Sequence, residues 1–136
     1  MHEAAHGAPI LPGNIYVAPG TYAHLEVSRA EQLRCVLREG DLISGHRPSV
    51  DALFHSVARN VGSKAVGVIL TGMGGDGAQG LLAMRQAGAR TIGQNEATCV
   101  VYGMPRVAFQ IGAVEKQAPL QAIAAEIAAL TTRSRD

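Results

Sequence analysis

Val50, Leu53, Phe54 and Val57 recur at helical spacing behind Ser49, and this pattern predicts a helix capped by Ser49 that ends near Gly62. The next apolar stretch, in "KAVGVILTG", is a continuous run too short for an ordinary helix, so it reads as a strand over 65–70 buried on both faces. Ala78, Leu81, Leu82 and Met84 then supply apolar surface to a helix from about Gly77 to Gly88, where the glycine suits the C-terminal end. "ARTIGQ" follows as a short strand. Strand, crossover helix and strand in this order predict a parallel pair joined right-handed. Leu120, Ile123, Ile127 and Leu130 fall on one stripe of a terminal helix, and Pro105 is placed to open a shorter one within "ATCVVYGMPRVAFQIGAV".

The first third of the chain alternates instead. Gly7, Pro9, Pro12 and Gly13 mark residues 1–14 as loop. Short strands are expected near 15–18, 24–27 and 33–37, the last two as an antiparallel hairpin. The fold class expected is α/β: part of a doubly wound, mostly parallel sheet with flanking helices and a small antiparallel hairpin near the N-terminus. The strand at 65–70 asks for parallel neighbours on both sides, yet one partner is apparent. The sheet therefore reads as incomplete, with material expected upstream and a bare edge prone to self-association.

Composition narrows the function little. A chain of 136 residues fits one domain, here an incomplete one, and can bury roughly 68% of its unfolded surface without disulfides or metal. A net charge of +1 gives no field for nucleic acid, and no apolar run approaches the ~20 residues of a bilayer span. Cys35 and Cys99, far apart in apolar surroundings, read as buried free thiols of a reduced, cytoplasmic compartment.

The candidate chemistry lies in "TGMGGDGAQG", residues 71–80, where glycines surround the single acid Asp76 directly after the buried strand. Gly72, Gly74 and Gly77 satisfy the dinucleotide fingerprint G-x-G-x-x-G, with Glu96 after the next strand. Asp76 argues against it, because a carboxylate would occupy the helix N-terminus that must receive pyrophosphate. "HEAAH" at His2–His6 matches a zinc-hydrolase pattern, but Gly7 and Pro9 cut off the rigid helix that such a site requires. His55 reads as an ordinary helix histidine, whereas His46 and Arg47 sit in a loop that could face a cleft. No serine stands in a tight strand-to-helix turn, and Ser49 is better explained as a cap. Asp76 has two readings: a carboxylate at the start of its own helix, favoured by the dipole, or a functional group at the carboxyl end of a parallel strand.

"VGVILTGMGGDGAQGLLAMRQAG", "QNEATCVVYGMPRVA", "LPGNIYVAPG" and "GHRPSVDALFHS" together resemble the C-terminal part of the bacterial chemotaxis methylesterase family, CheB. The likeness runs in order over about residues 10–127. It implies a cytoplasmic serine hydrolase that removes methyl groups from glutamates of chemoreceptors, and in many members deamidates particular glutamines, with no metal or organic cofactor. It puts the catalytic Asp at Asp76 and the oxyanion loop at Met73 and Gly74. A serine would attack the ester, a histidine would take its proton, and the Asp would hold that histidine in its tautomer. The family's serine turn "STGG", its histidine segment "QHM" and its receiver domain have no counterpart here. The resemblance therefore implies either an enzyme whose serine and histidine come from a separate N-terminal half, or a non-catalytic remnant that binds receptor helices or the intact enzyme.

Overall fold

The structure is a computed structural model and describes residues 1–20 and 23–133. Three strands form a parallel sheet: β5 (Val66–Ile69), β6 (Arg90–Gln94) and β7 (Lys116–Ala118), in that order. Two further pairs precede them. β1 (His2–Glu3) runs parallel to β2 (Tyr16–Val17), and β3 (Ala23–Arg29) pairs antiparallel with β4 (Leu33–Glu39). The helices are α1 (Val50–Asn60), α2 (Ala78–Gln86), α3 (Met104–Gln110) and α4 (Leu120–Arg133). None of them is long and apolar enough to cross a membrane.

Alternation along the strands sorts the helices onto two faces. Ile69 joins Leu81 and Met84 of α2 and Ala108 of α3 in one core, while Val66, Val68 and Ile92 pack with Ile123, Ile127 and Leu130 of α4 in another. Sheet and helices thus form the doubly wound arrangement expected. α2 and α3 end identically. Ala89 and Gly88 donate to the carbonyls of Met84 and Arg85, as Ala113 and Gly112 do to Ala108 and Phe109. Gly88 and Gly112 take the left-handed conformation this cap needs.

A third layer lies outside. α1 packs on α2 and carries the β3–β4 hairpin on its other side, with Leu25, Cys35 and Leu53 in a smaller core. It also covers the open edge of β3: Val27 N–H donates to Ser56 Oγ (2.8 Å) and Val27 C=O accepts from Asn60 Nδ2 (2.8 Å).

Among the described residues β5 has the one parallel partner that was apparent, β6, and β6 takes the middle of the three strands. Three expectations change. The third strand is β7, whose Lys-Gln-Ala carries no apolar pattern to announce it. β1 lies inside the stretch read as loop, its backbone continued by Ala4 N–H on Val17 C=O (2.8 Å). On α4 the stripe holds from Ile123 onward, but Leu120 at its start is 53% exposed.

Candidate functional site

The segment after β5 is fastened to the segment after β6. Thr71 N–H donates to the side-chain oxygen of buried Gln94 (2.8 Å), and Thr71 Oγ1 both donates to Val101 C=O (3.0 Å) and accepts from Val101 N–H (2.9 Å). Gly72 N–H reaches Val101 C=O (3.1 Å), and Gly72 C=O accepts from Gly103 (3.1 Å) and Met104 (2.8 Å). A Cβ on Gly103 would stand 2.6 Å from the Gly72 oxygen, so only glycine permits this approach of the two backbones. The glycines of this loop thus serve close contact as well as turning.

Asp76, 4% exposed, does not cap its own helix. Gly77 is the N-cap of α2, in the left-handed conformation, and Asp76 turns across to the start of α1. Its Oδ1 accepts from Ser49 Oγ (2.8 Å) and Asp51 N–H (3.0 Å), and its Oδ2 accepts from Val50 N–H (2.8 Å). The two amides belong to the first turn of α1, where donors lack intrahelical partners and the dipole favours a negative charge. Ser49 is the expected N-cap; its Oγ also accepts from Ala52 N–H (3.4 Å).

The exchange is mutual. Asp51, 3% exposed and in the first turn of α1, accepts from Gly80 N–H in the first turn of α2 (2.7 Å), and its other oxygen accepts from Ser44 Oγ (2.6 Å). Each helix therefore lends a carboxylate, directly or from the loop before it, to the amino end of the other. Neither acid has a cationic partner among the described residues. Gly80 allows the close crossing, since a Cβ there would lie 2.6 Å from Phe54 Cβ.

This geometry leaves Asp76 one unused capacity. An ionised carboxylate offers about four acceptor positions, and among the described residues three donors reach it, two on Oδ1 and one on Oδ2. By that count one position, on Oδ2, is without a donor among the described residues. A recess of about 100 Å³ lined by Pro48, Ser49, Val50, Ala18, Leu25 and Leu53 opens beside these capping residues. Met73 is 78% exposed, Gly74 is exposed with φ +87°, and among the described residues neither N–H has an acceptor.

The other candidates disperse. His2 Nε2 bonds Asn14 (3.1 Å), whereas His6 Nδ1 accepts from Leu37 N–H (3.1 Å), and no group of metal ligands forms among the described residues. His46 and Arg47 are exposed, the latter donating to Gly40 C=O (2.9 Å), and His55 is half-buried on α1. Burial pushes both thiols up, so neither cysteine is an activated nucleophile; Cys99, expected buried, is partly exposed. Ser49 spends its hydroxyl proton on Asp76, and among the described residues no imidazole bonds that hydroxyl. Glu96 stands at the start of a short 3-10 turn (Glu96–Thr98) capped by Asn95.

Sequence reasoning missed Asp51, Ser44, Gln94 and His24. Asp51 carried the ordinary signal of an acid in a first helical turn. His24 gave none, because in the strand pattern it falls opposite Ala23 and Leu25, a face that only the tertiary fold covers.

A family model described as CheB methylesterase matches residues 1–127. The chain is 63% identical over 135 residues to protein-glutamate methylesterase/protein-glutamine glutaminase 1 of Caulobacter vibrioides, covering 99% of this chain and 39% of that protein. It is 58% identical to the correspondingly named protein of Agrobacterium fabrum, covering 100% of this chain and again 39% of the relative. The chain thus spans about two fifths of the length of these relatives. The crystal structure of the Thermotoga maritima CheB methylesterase catalytic domain superimposes with a TM-score of 0.90 at 34% identity, over 94% of this chain and 68% of that one. By sequence over nearly its whole length and by fold, the chain belongs to the CheB methylesterase family.

Proposed function

We propose that this chain is the aspartate-bearing portion of a cytoplasmic protein-glutamate methylesterase that hydrolyses glutamate methyl esters on chemoreceptors and deamidates particular glutamines. The observation that carries the reading is the buried Asp76 carboxylate at the carboxyl end of β5, fixed by three donors and still able to accept a fourth. That is what a triad aspartate needs: a rigid position and one acceptor for an imidazole N–H, which it orients and whose positive charge it supports. Serine and histidine come from polypeptide that packs against the open edge of β5. Met73 and Gly74 line the oxyanion side, where an unengaged backbone N–H stabilises the developing charge. No cofactor takes part in this chemistry.

A second reading rests on the same hydrogen bonds. Capping α1 is a structural purpose sufficient to retain Asp76 in a non-catalytic remnant that binds receptor helices or the intact enzyme. Methanol release from methylated receptor separates the two. The catalytic reading expects no turnover from the chain alone and turnover once a serine- and histidine-bearing N-terminal half is added. Asp76→Asn should lower that turnover on the order of 10⁴-fold. Silence of the mixture, or full activity of the variant in it, favours the remnant.

A further inference from the structure

We propose that His24, outside the triad, is a positioning residue for Asp76, acting through Ser49; the inference rests on the catalytic reading above. His24 on β3 is fully buried, and its two ring nitrogens hold the two ends of the loop that leads into α1. Nε2 lies 2.7 Å from Asp41 C=O, which can only accept, so Nε2 carries the proton. Nδ1 is then the acceptor for Ser49 N–H at 3.1 Å. Ser49 passes the constraint on, since its Oγ–H donates to Asp76 Oδ1 at 2.8 Å. The ring thus works in one tautomer, as a clamp whose Nε2 closes the loop and whose Nδ1 fixes the residue that orients the carboxylate.

The chain of contacts has a direction. Ser49 is held at its backbone by His24 and at its hydroxyl by Asp76 and Ala52. Loss of the Nδ1 acceptor strands a buried N–H and releases Ser49 from the hairpin side. Asp76 keeps Asp51 N–H on Oδ1 and Val50 N–H on Oδ2, so the fold persists, while weakening of the third donor lets the carboxylate shift from its set orientation. The position left on Oδ2 for an imidazole moves with it. His24 touches neither substrate nor reacting atoms, so its effect falls on turnover and not on substrate affinity.

The two ring nitrogens can be tested separately. His24→Asn places an amide oxygen near the Nδ1 position and keeps an acceptor for Ser49, whereas His24→Gln reaches the Nε2 position and keeps only the bond to Asp41. The assay is methanol release by the chain combined with its N-terminal half, with unfolding midpoints recorded for every variant. His24→Gln should lower kcat on the order of 10²-fold at unchanged KM, the scale of an ångström-level misplacement. His24→Asn should recover about tenfold of that loss, the worth of one hydrogen bond. Ser49→Ala, which leaves the ring intact, should lower kcat similarly, and its combination with His24→Gln should add little because both act on one link. Equal kcat for His24→Gln and wild type, equal losses for His24→Gln and His24→Asn, or additive losses in the double variant would overturn the inference while leaving the catalytic reading in place. An Asp76→Asn variant of undiminished turnover would bring down both together.

Discussion

At the amino end of the parallel sheet, charge is handled in water. Arg90 pairs with Glu115 (2.7 Å) and Lys116 with Glu126 (2.7 Å), through side chains that are between 28% and 58% exposed. At the carboxyl end, Asp76 and Asp51 are almost wholly buried with no cationic partner among the described residues, and helix amides take the place of counter-ions. Exposed pairs of the first kind contribute little to stability, because solvent screens them and long side chains lose freedom. A buried carboxylate of the second kind is costly to disturb, since its donors have nowhere else to turn. The charge that matters to folding is therefore concentrated where the loop after β5 meets the start of α1, and the ion pairs opposite contribute little.

That contrast can be broken most forcefully at Asp76. Asp76→Ala orphans the first-turn amides of α1 and should cost about 2–6 kcal/mol in denaturant unfolding, at 1–3 kcal/mol for each stranded donor; a loss below about 1 kcal/mol would place the cap elsewhere. Next in size is the crossing of α1 and α2. Gly80→Ala drives a methyl into Phe54 Cβ and the Asp51 backbone oxygen, 2.6 and 3.1 Å away, and should cost about 1–3 kcal/mol. Gly67→Ala meets the mobile ends of Leu81 and Met84 instead and should lower the melting temperature less.

Amide substitution sharpens the comparison between the two buried acids. Asp76 faces N–H groups at both oxygens, so Asp76→Asn must set an NH₂ against a fixed donor whichever way the amide lies; a cost of about 1–3 kcal/mol is expected. Asp51 meets an amide on one oxygen and the Ser44 hydroxyl on the other, and a hydroxyl can turn to accept. Asp51→Asn should cost under about 1 kcal/mol. Equal losses in the two variants would mean that the geometry of the donors does not decide the energetics.

The smallest effect belongs to Glu115, whose carboxyl is held below its ordinary value by its hydrogen bond to Arg90, against the opposing effect of burial. A lowered folded-state value gives stability that is present above the unfolded-state pKa and disappears as pH falls through the folded one. The difference in melting temperature between wild type and Glu115→Gln should therefore be slight at neutral pH and vanish in acid. A difference that grows on acidification would reverse the assignment.

Much of this architecture was legible because its signals are local. Ser49 and the apolar spacing behind it predicted α1, Gly88 predicted the end of α2, and the residues around 24–27 and 33–37 predicted the hairpin. β7 was not legible, since three residues of mixed character owe their pairing to the ladder of β6 and not to any pattern. Asp76 was found as a singular acid in a glycine loop, but neither of its two readings named the start of α1 as its partner. The local rule points to the helix that follows it, whereas Gly77 takes that cap and the donors lie on a helix distant in sequence. His24 was invisible for a related reason: its partners, Asp41 C=O and Ser49 N–H, lie at the two ends of a loop distant from it in sequence.

The central claim, that the acceptor left on Asp76 Oδ2 receives an imidazole, is open to proton NMR on the chain combined with a histidine-labelled N-terminal half. A far-downfield ring N–H resonance from the catalytic histidine should appear when the halves assemble and be lost or shifted strongly upfield with Asp76→Asn. A spectrum in which the assembled pair turns over substrate while the histidine resonances are indifferent to that substitution would contradict it.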